Sequence, residues 1–282
     1  MLTNNLKLQR QAEKKGYAVG GFNADSFLVA EAILHEALAK QVPVIIETSV
    51  GAVKHGGAEY FASMIRGLAQ RFKIPISLHL DHGDTLARVQ ECIEAGYTSV
   101  MIDASKLPLD ENIALTKKVV QYAHKHHVSV EGEVGRIYGT EDLDTGSELY
   151  AASLTKVADA LLFVQETGVD TLATSIGNAH GLYKGRPKLD FVRLKAIRKA
   201  VKTPLVLHGG SGIPDSDIRK AIKIGISKIN VNTEIRIAFC TALRDYLKQN
   251  PKDIAVYKIL NAPLAAMQAV VKQKMRLFYA GR

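Results

Sequence analysis

Along this chain a short run rich in Val and Ile is followed, eight times over, by a longer amphipathic stretch, and this alternation limits the fold more than any other feature. The runs lie near residues 17–23, 42–47, 76–80, 98–102, 128–133, 171–175, 204–207 and 227–231. The helical stretches lie near 26–40, 58–72, 84–95, 110–126, 153–167, 189–201, 214–224 and 234–248, with one more helix at 3–15. Strands this apolar have no face to give to water, so they read as parallel strands covered by helices. Eight such units close most naturally into a (β/α)8 barrel. A doubly wound sheet is the alternative, but Gly20-Gly21 is all that follows the first strand where G-x-G-x-x-G would be wanted. The expectation is therefore α/β, a single (β/α)8 TIM barrel over residues 1–282, with one or two extra C-terminal helices within 251–277. Two connections read as long and polar, 50–57 after the second strand and 135–150 after the fifth.

A barrel carries its chemistry at the carboxyl ends of its strands. The third strand, opened by Pro75, ends in Asp81-His82-Gly83. Neighbours on a strand point in different directions, so one can bind a metal while the other faces a substrate. The other strand ends carry Asn23, Thr48, Ser49, Asp103, Ser105, Glu131, Glu133, Asn178, His180, His208, Ser211, Asn230, Asn232 and Thr233. Of the nine histidines, His35, His124, His126 and His127 lie in or at the ends of helices, His55 lies in a loop and His79 sits inside a strand. That leaves His82, His180 and His208 at the ends of strands three, six and seven, where they can converge. Three neutral imidazoles with one open position form a catalytic zinc arrangement. The plainer reading is three separate histidines satisfied by nearby backbone. Glycine-rich turns at 181–185 and 207–212, and the turn at 230–234, follow strands six, seven and eight. Backbone N–H groups there can approach an anion, and barrels commonly hold phosphate on these loops. Alternatively the glycines only permit tight turns.

The net charge of +9 admits nucleic acid, an anionic metabolite or a merely solvated basic surface. No dense Lys/Arg run is interleaved with aromatics, and the strand-end acids Asp81, Asp103, Glu131 and Glu133 would repel a polyanion. No nucleic-acid partner is expected. No apolar run reaches membrane-spanning length, and Met1-Leu2-Thr3-Asn4-Asn5 lacks the parts of a signal peptide, so the expectation is a cytoplasmic protein with no membrane partner. Two isolated cysteines, Cys92 and Cys240, make neither a disulfide framework nor a zinc cluster.

Six segments carry a resemblance: Leu80-Asp81-His82-Gly83, Met101-Ile102-Asp103-Ala104-Ser105, Val130-Glu131-Gly132-Glu133-Val134-Gly135, Ile176-Gly177-Asn178-Ala179-His180-Gly181, Leu207-His208-Gly209-Gly210-Ser211-Gly212-Ile213 and Lys228-Ile229-Asn230-Val231-Asn232-Thr233-Glu234. Together, in order and across nearly the whole chain, they resemble the class II, zinc-dependent ketose-bisphosphate aldolases, which include fructose- and tagatose-1,6-bisphosphate aldolases. The resemblance implies the barrel, Zn2+, and a phosphorylated ketose cleaved to dihydroxyacetone phosphate and an aldehyde. It implies His82, His180 and His208 as zinc ligands, Asp81 as the proton carrier on the C4 hydroxyl, and Glu141 as the acid/base at the enediolate carbon. It gives Gly181, Gly209, Gly210, Ser211, Asn230, Val231, Asn232 and Thr233 to the phosphate, with Lys184 nearby, and Asn23 and Ser49 to the distal end of the substrate. Asp103 and Glu133 resemble a second, resting metal position, or else orient the ligands. A monovalent cation, Na+ or K+, near the phosphate and a homodimer or homotetramer are further implications.

The chemistry asks for such groups independently of the family. Retro-aldol cleavage leaves charge on the ketone oxygen, which a Lewis acid stabilises without a Schiff-base lysine, and deprotonating the C4 hydroxyl needs a carboxylate within reach. One departure concerns the second phosphate. The family's Asp-Pro-Arg arginine has no counterpart in Asp253-Ile254-Ala255-Val256-Tyr257-Lys258, where Tyr257 stands in its place, so the substrate is either a ketose 1-phosphate with another distal group or a bisphosphate for which Arg136, Arg276 or Lys54 substitutes. Asn178 to Tyr183 looks more like the tagatose enzymes and Asn232 more like bacterial fructose enzymes, so C4 stereochemistry stays open. Two other readings compete, a noncatalytic binder of phosphate metabolites or nucleic acid, and a zinc hydrolase on the same barrel.

Overall fold

The strands that the sequence predicts do form, and they close. A computed structural model describes residues 1–139, 148–183 and 185–280, with only the backbone given for 148–150. Strands β1 (Val19–Asn23), β2 (Val44–Ser49), β3 (Ile76–Gly83), β4 (Ser99–Ile102), β5 (Ser129–Val134), β6 (Thr171–Thr174), β7 (Leu205–Leu207) and β8 (Ile226–Val231) form a closed barrel in chain order. Every neighbouring pair is parallel, including β8 with β1, where Val19 registers with Lys228. Closure removes the sheet edges that would otherwise expose unpaired backbone.

The helices lie between the strands: α1 (Asn5–Lys15), α2 (Phe27–Lys40), α3 (Val50–Gly56), α4 (Ala58–Arg71), α5 (Leu86–Ala95), α6 (Leu109–Lys125), α7 (Glu148–Ser153), α8 (Val157–Thr167), α9 (Phe191–Ala200), α10 (Asp215–Ile224), α11 (Thr233–Gln249), α12 (Val256–Ile259) and α13 (Asn261–Phe278). Helix α5 illustrates how the sequence sets them. Thr85 caps it by accepting from the N–H of Arg88, Gly96 ends it in the left-handed region, and Val89, Cys92 and Ile93 at helical spacing are buried. Burial pushes the Cys92 thiol up to about 12, as suits an inert core residue. The C-terminal α13 packs against α2 and α11, buries Met267, Val271, Met275 and Phe278, and offers the carbonyl of Phe278 to the N–H of Ala18 at 3.1 Å. Among the described residues no helix is long and apolar enough to cross a membrane.

Two features depart from the pattern in the sequence. Within 50–57, where a polar loop is expected, Val50–Gly56 form helix α3: Ser49 caps it through Ala52 N at 3.2 Å and Val53 is buried. Three glycines, Gly51, Gly56 and Gly57, lower its helical propensity and hide it. The barrel interior is also not apolar throughout. Lys228 on β8 reaches Glu131 on β5, a strand it does not pair with, so both side chains point inward, and Glu47 and His79 join them in a fully buried polar layer.

Candidate active site

The end of β3 shapes the site. Leu80 registers with Val100 but Gly83 with Ile102, so β3 holds one residue more than β4, and His82 within that bulge takes φ 50, a region few residues other than glycine adopt. Regular alternation would send Asp81 and His82 to opposite faces of the sheet. The bulge instead turns both toward a cavity of about 250 Å3 at the barrel mouth, with different partners for each. Asp81 accepts from Asn23 at 2.8 Å and from Asn230 at 3.3 Å, whereas His82 meets Asp103 at 2.8 Å.

The three candidate metal histidines converge. Ring centroids of His82 lie 4.8 Å from His180 and 4.7 Å from His208, and those of His180 and His208 are 5.8 Å apart. Their nitrogens lie within 4.8 Å of one another, with His82 Nε2 and His208 Nδ1 at 2.9 Å. Two nitrogens bound to one tetrahedral zinc stand roughly 3.3 Å apart, so the spacing is of the size such an ion requires. The outward nitrogens are backed by carboxylates: His82 Nδ1 by Asp103 Oδ2 and His208 Nε2 by Glu131 Oε1, each at 2.8 Å. This is how metal-binding imidazoles are held in one tautomer and orientation. His180 donates its backbone N–H to Tyr138 O at 2.8 Å, which ties the start of the 135–150 connection to the third imidazole.

His82, Asp103 and Glu133 form a second group with metal-ligand spacing. Asp103 is already engaged, since its Oδ1 accepts from the N–H and hydroxyl of Ser105 while Oδ2 holds His82. Glu133 Oε1 accepts from Ile137 N at 3.3 Å, but Oε2 is buried with no hydrogen-bond partner among the described residues. Burial, then the nearby Asp103 charge, raises Glu133 to about 8. A cation beside Glu133 would satisfy both the unpartnered oxygen and the crowded acids.

Electrostatics divide the roles further. Burial alone would raise the Asp81 pKa, yet His82, His208, Lys228 and the Asn23 hydrogen bond draw it down to about 2, leaving a carboxylate that is ionised at neutral pH. Burial alone would lower His82, but Asp81, Asp103 and Glu133 pull it up to about 10, marking a point in the cavity where positive charge is favoured. Burial followed by the charges of His82 and His208 takes His180 down to about 3.

Opposite the acids, the loops after β6, β7 and β8 supply Gly181, Gly209, Ser211, Asn232 and Thr233 to the cavity wall. The β6 and β7 loops are pressed together at Gly209, which has φ 64 and where a Cβ would fall 1.9 Å from Ala179 O. Tyr183 bridges the same loops, accepting from Ala179 N at 2.8 Å and donating to Gly209 O at 3.3 Å. Gly210 and Val231 do not line the cavity: the Gly210 N–H is taken by Asn230 O at 2.9 Å, and Val231 is buried in β8. Asn230 lines it but gives its amide to Asp81, while Asn23 and Ser49 close the wall on the β1 and β2 side. Glu141 and Lys184 lie outside the described residues.

None of the substitutes proposed for the missing arginine lines this cavity. Arg136 stacks on Tyr138, Lys54 pairs with Asp84 at 3.0 Å, Arg276 lines a separate surface groove beside Asp215 and Arg219, and Tyr257 is 74 % exposed on α12. The cavity does contain a cation, however. Arg236 lines it from the first turns of α11, the one Lys or Arg to do so among the described residues; its backbone N–H donates to Asn232 O at 3.2 Å, but its guanidinium makes no hydrogen bond or ion pair with any of them. Its spacing from Asn232 and Thr233, four and three residues on, puts all three on one helical face, and that spacing is the signal in the sequence that would have found it.

The profile of the family described as fructose-bisphosphate aldolase class-II matches residues 3–281. The chain is 44% identical over 281 residues to a protein named 6-phospho-5-dehydro-2-deoxy-D-gluconate aldolase from Halalkalibacterium halodurans, covering 98% of this chain and 96% of that one. It is 42% identical over 280 residues to one named fructose-bisphosphate aldolase from Geobacillus stearothermophilus, with 98% and 96% covered. Among solved structures it is similar to the YdjI aldolase from Escherichia coli K12, with TM-score 0.86, 34% identity, and 99% and 97% of the two chains covered.

Proposed function

Because this chain belongs to the class-II fructose-bisphosphate aldolase family of lyases, we propose that it performs a zinc-dependent retro-aldol cleavage of a phosphorylated ketose, giving dihydroxyacetone phosphate and an aldehyde. The observation that carries this reading is the meeting of His82, His180 and His208, two of them backed by carboxylates, beside an ionised Asp81. When bound there, Zn2+ supplies a Lewis acid that lowers the energy of negative charge on the ketone oxygen.

The chain's own residues do the rest. Asp81, held by Asn23 and Asn230, accepts the proton of the C4 hydroxyl as the C3–C4 bond breaks. Glu141, on the connection that begins beside His180, returns a proton to the enediolate carbon. Gly181, Gly209, Ser211 and Thr233 hold the phosphate next to the ketone, and this binding energy positions the reacting carbons.

Arg236 is then left for a second anion. The names of the two relatives each carry two anionic groups, a bisphosphate in one and, in the other, a 6-phosphate and a gluconate carboxylate at opposite ends of the chain. The substrate class favoured is therefore a ketose phosphorylated beside its carbonyl and anionic at its far end.

A substrate panel tests this. Fructose and tagatose 1,6-bisphosphates, fructose 1-phosphate and 6-phospho-5-dehydro-2-deoxy-D-gluconate are offered to the metal-loaded protein and triose phosphate is assayed. At least one doubly anionic ketose should be cleaved, chelator should abolish the reaction, and borohydride should trap nothing. Arg236→Met should raise KM roughly 10- to 100-fold for the doubly anionic substrates and less for fructose 1-phosphate, as loss of a charge-assisted hydrogen bond does. No triose phosphate from any of the four would refute the proposal.

A further inference from the structure

Lys228 is wholly buried in the barrel interior, and the cleavage chemistry gives it no task. A lysine is almost never buried whole unless paired, and a buried ion pair is frequently no more stabilising than apolar residues of the same volume. Packing alone does not explain its presence. Its Nζ lies 2.8 Å from Glu131 Oε2 and 2.9 Å from Glu47 Oε1. The other oxygen of Glu131 is the atom that meets His208 Nε2 at 2.8 Å, and all four of these side chains are at 0 % exposure.

We infer that Lys228 is a positioning residue of the metal site: by fixing Glu131 from beneath, it fixes the ring of His208. Without the ammonium, Glu131 Oε2 would keep only the long hydrogen bond from the Thr171 hydroxyl at 3.4 Å, too weak to stop the carboxylate swinging about its own side-chain torsions. Held by an ammonium on Oε2, Glu131 keeps Oε1 aimed at the His208 Nε2–H, so that Nδ1 presents its lone pair to the gap shared with His82. His82 is supported differently. Its partner Asp103 is fixed within its own turn by the N–H and hydroxyl of Ser105, two residues on. His208 has no such local brace in its chain Lys228–Glu131–His208, which runs from β8 through β5 to the residue after β7, so its support comes from across the barrel. Lys228 also shares the inward face of β8 with Asn230, two residues on, which donates to Asp81.

This rests on the three imidazoles being metal ligands, and the test separates the two ideas by reading metal rather than turnover. Zn2+ affinity is measured by competition with a chelator, and the visible absorption of the Co2+-loaded protein reports ligand geometry. Lys228→Met should weaken Zn2+ binding 10- to 100-fold, the usual loss when a ligand's supporting partner is removed, and shift the Co2+ bands. Glu131→Gln keeps an acceptor for His208 but loses the ammonium's partner. It should move both readouts in the same direction, and it decides the matter if Lys228→Met does not fold. Ser129→Ala, in the same buried layer but outside the chain of contacts, should lower the melting temperature without changing either readout. Folded Lys228→Met or Glu131→Gln with wild-type Zn2+ affinity and Co2+ spectrum overturns the inference alone. Failure of the wild-type protein to take up either metal overturns it together with the assignment of the ligands.

Discussion

His208 Nδ1 lies 2.9 Å from His82 Nε2 although 126 residues separate them in the chain. The two rings come from just after β7 and from β3, strands that are not neighbours in the barrel, and each has a carboxylate behind it. Their facing nitrogens, with His180 alongside, make a small basket of lone pairs in a field set by Asp81, Asp103 and Glu133.

Removing one wall of that basket should empty it. His82→Ala and His208→Ala are each expected to retain no Zn2+ after dialysis, where the wild-type protein retains about one ion per chain. Metal content by atomic emission checks this. Because an ion that binds only the folded state stabilises it, by about 4 kcal/mol at a thousandfold excess over Kd, chelator should lower the melting temperature of the wild type and leave these variants unmoved. A variant that keeps its metal removes that histidine from the ligand set.

As the proposed general base, Asp81 should touch the reaction without being needed for the metal. Asp81→Asn keeps the hydrogen-bonding shape beside Asn23 and Asn230 but removes the base. Metal content should stay at the wild-type level while kcat falls by about 10²–10⁴, the usual worth of a positioned general base. Undiminished turnover would exclude Asp81 from proton transfer.

Gly209 joins the β6 and β7 loops at a distance no side chain tolerates. With φ 64 and only 1.9 Å between a built Cβ and Ala179 O, Gly209→Ala must push the loops apart. A stability loss of more than about 1 kcal/mol by chemical denaturation and a raised KM for phosphorylated substrates are expected together. A variant unchanged in both would show that the loops' contact does not matter to the anion cradle.

Glu47 gives a pH signature. Burial, opposed by the attraction of Lys228, raises its pKa from 4.5 to about 8. The fold thus favours the protonated form, a contribution fully present below pH 4.5 and lost as pH rises through about 8. Glu47→Gln, which mimics the neutral acid, should gain stability relative to the wild type as pH is raised from 5 to about 8.5, read as the difference between their urea midpoints. A pH-independent difference would mean that Glu47 ionises normally inside the barrel.

Much of this was legible in the residues because strand and helix periodicities are local. Runs such as 98–102 and helices such as α5 announce themselves through Val, Ile, caps and spacing. Helix α3 did not, because its glycines mask a short amphipathic turn held mainly by the Ser49 cap and the burial of Val53. Arg236 escaped notice because an arginine on a first helical turn is ordinary until its neighbours Asn232 and Thr233 are known to face a cavity. Lys228 sits inside a run that otherwise reads as apolar strand, and only the barrel interior gives it Glu131 and Glu47.

By itself the sequence determined the order of strands and helices, the concentration of acids, imidazoles and glycines at strand ends, and the family motifs that they spell. The tertiary structure alone decided which of these meet. One extra residue in β3, with His82 at φ 50, is enough to bring Asp81 and His82 into the same cavity, and closure of β8 onto β1 sets which loops stand opposite them. The physical reason is that side-chain direction in a strand has a period of two, so a single bulge reverses it, while convergence depends on register between segments far apart in the chain.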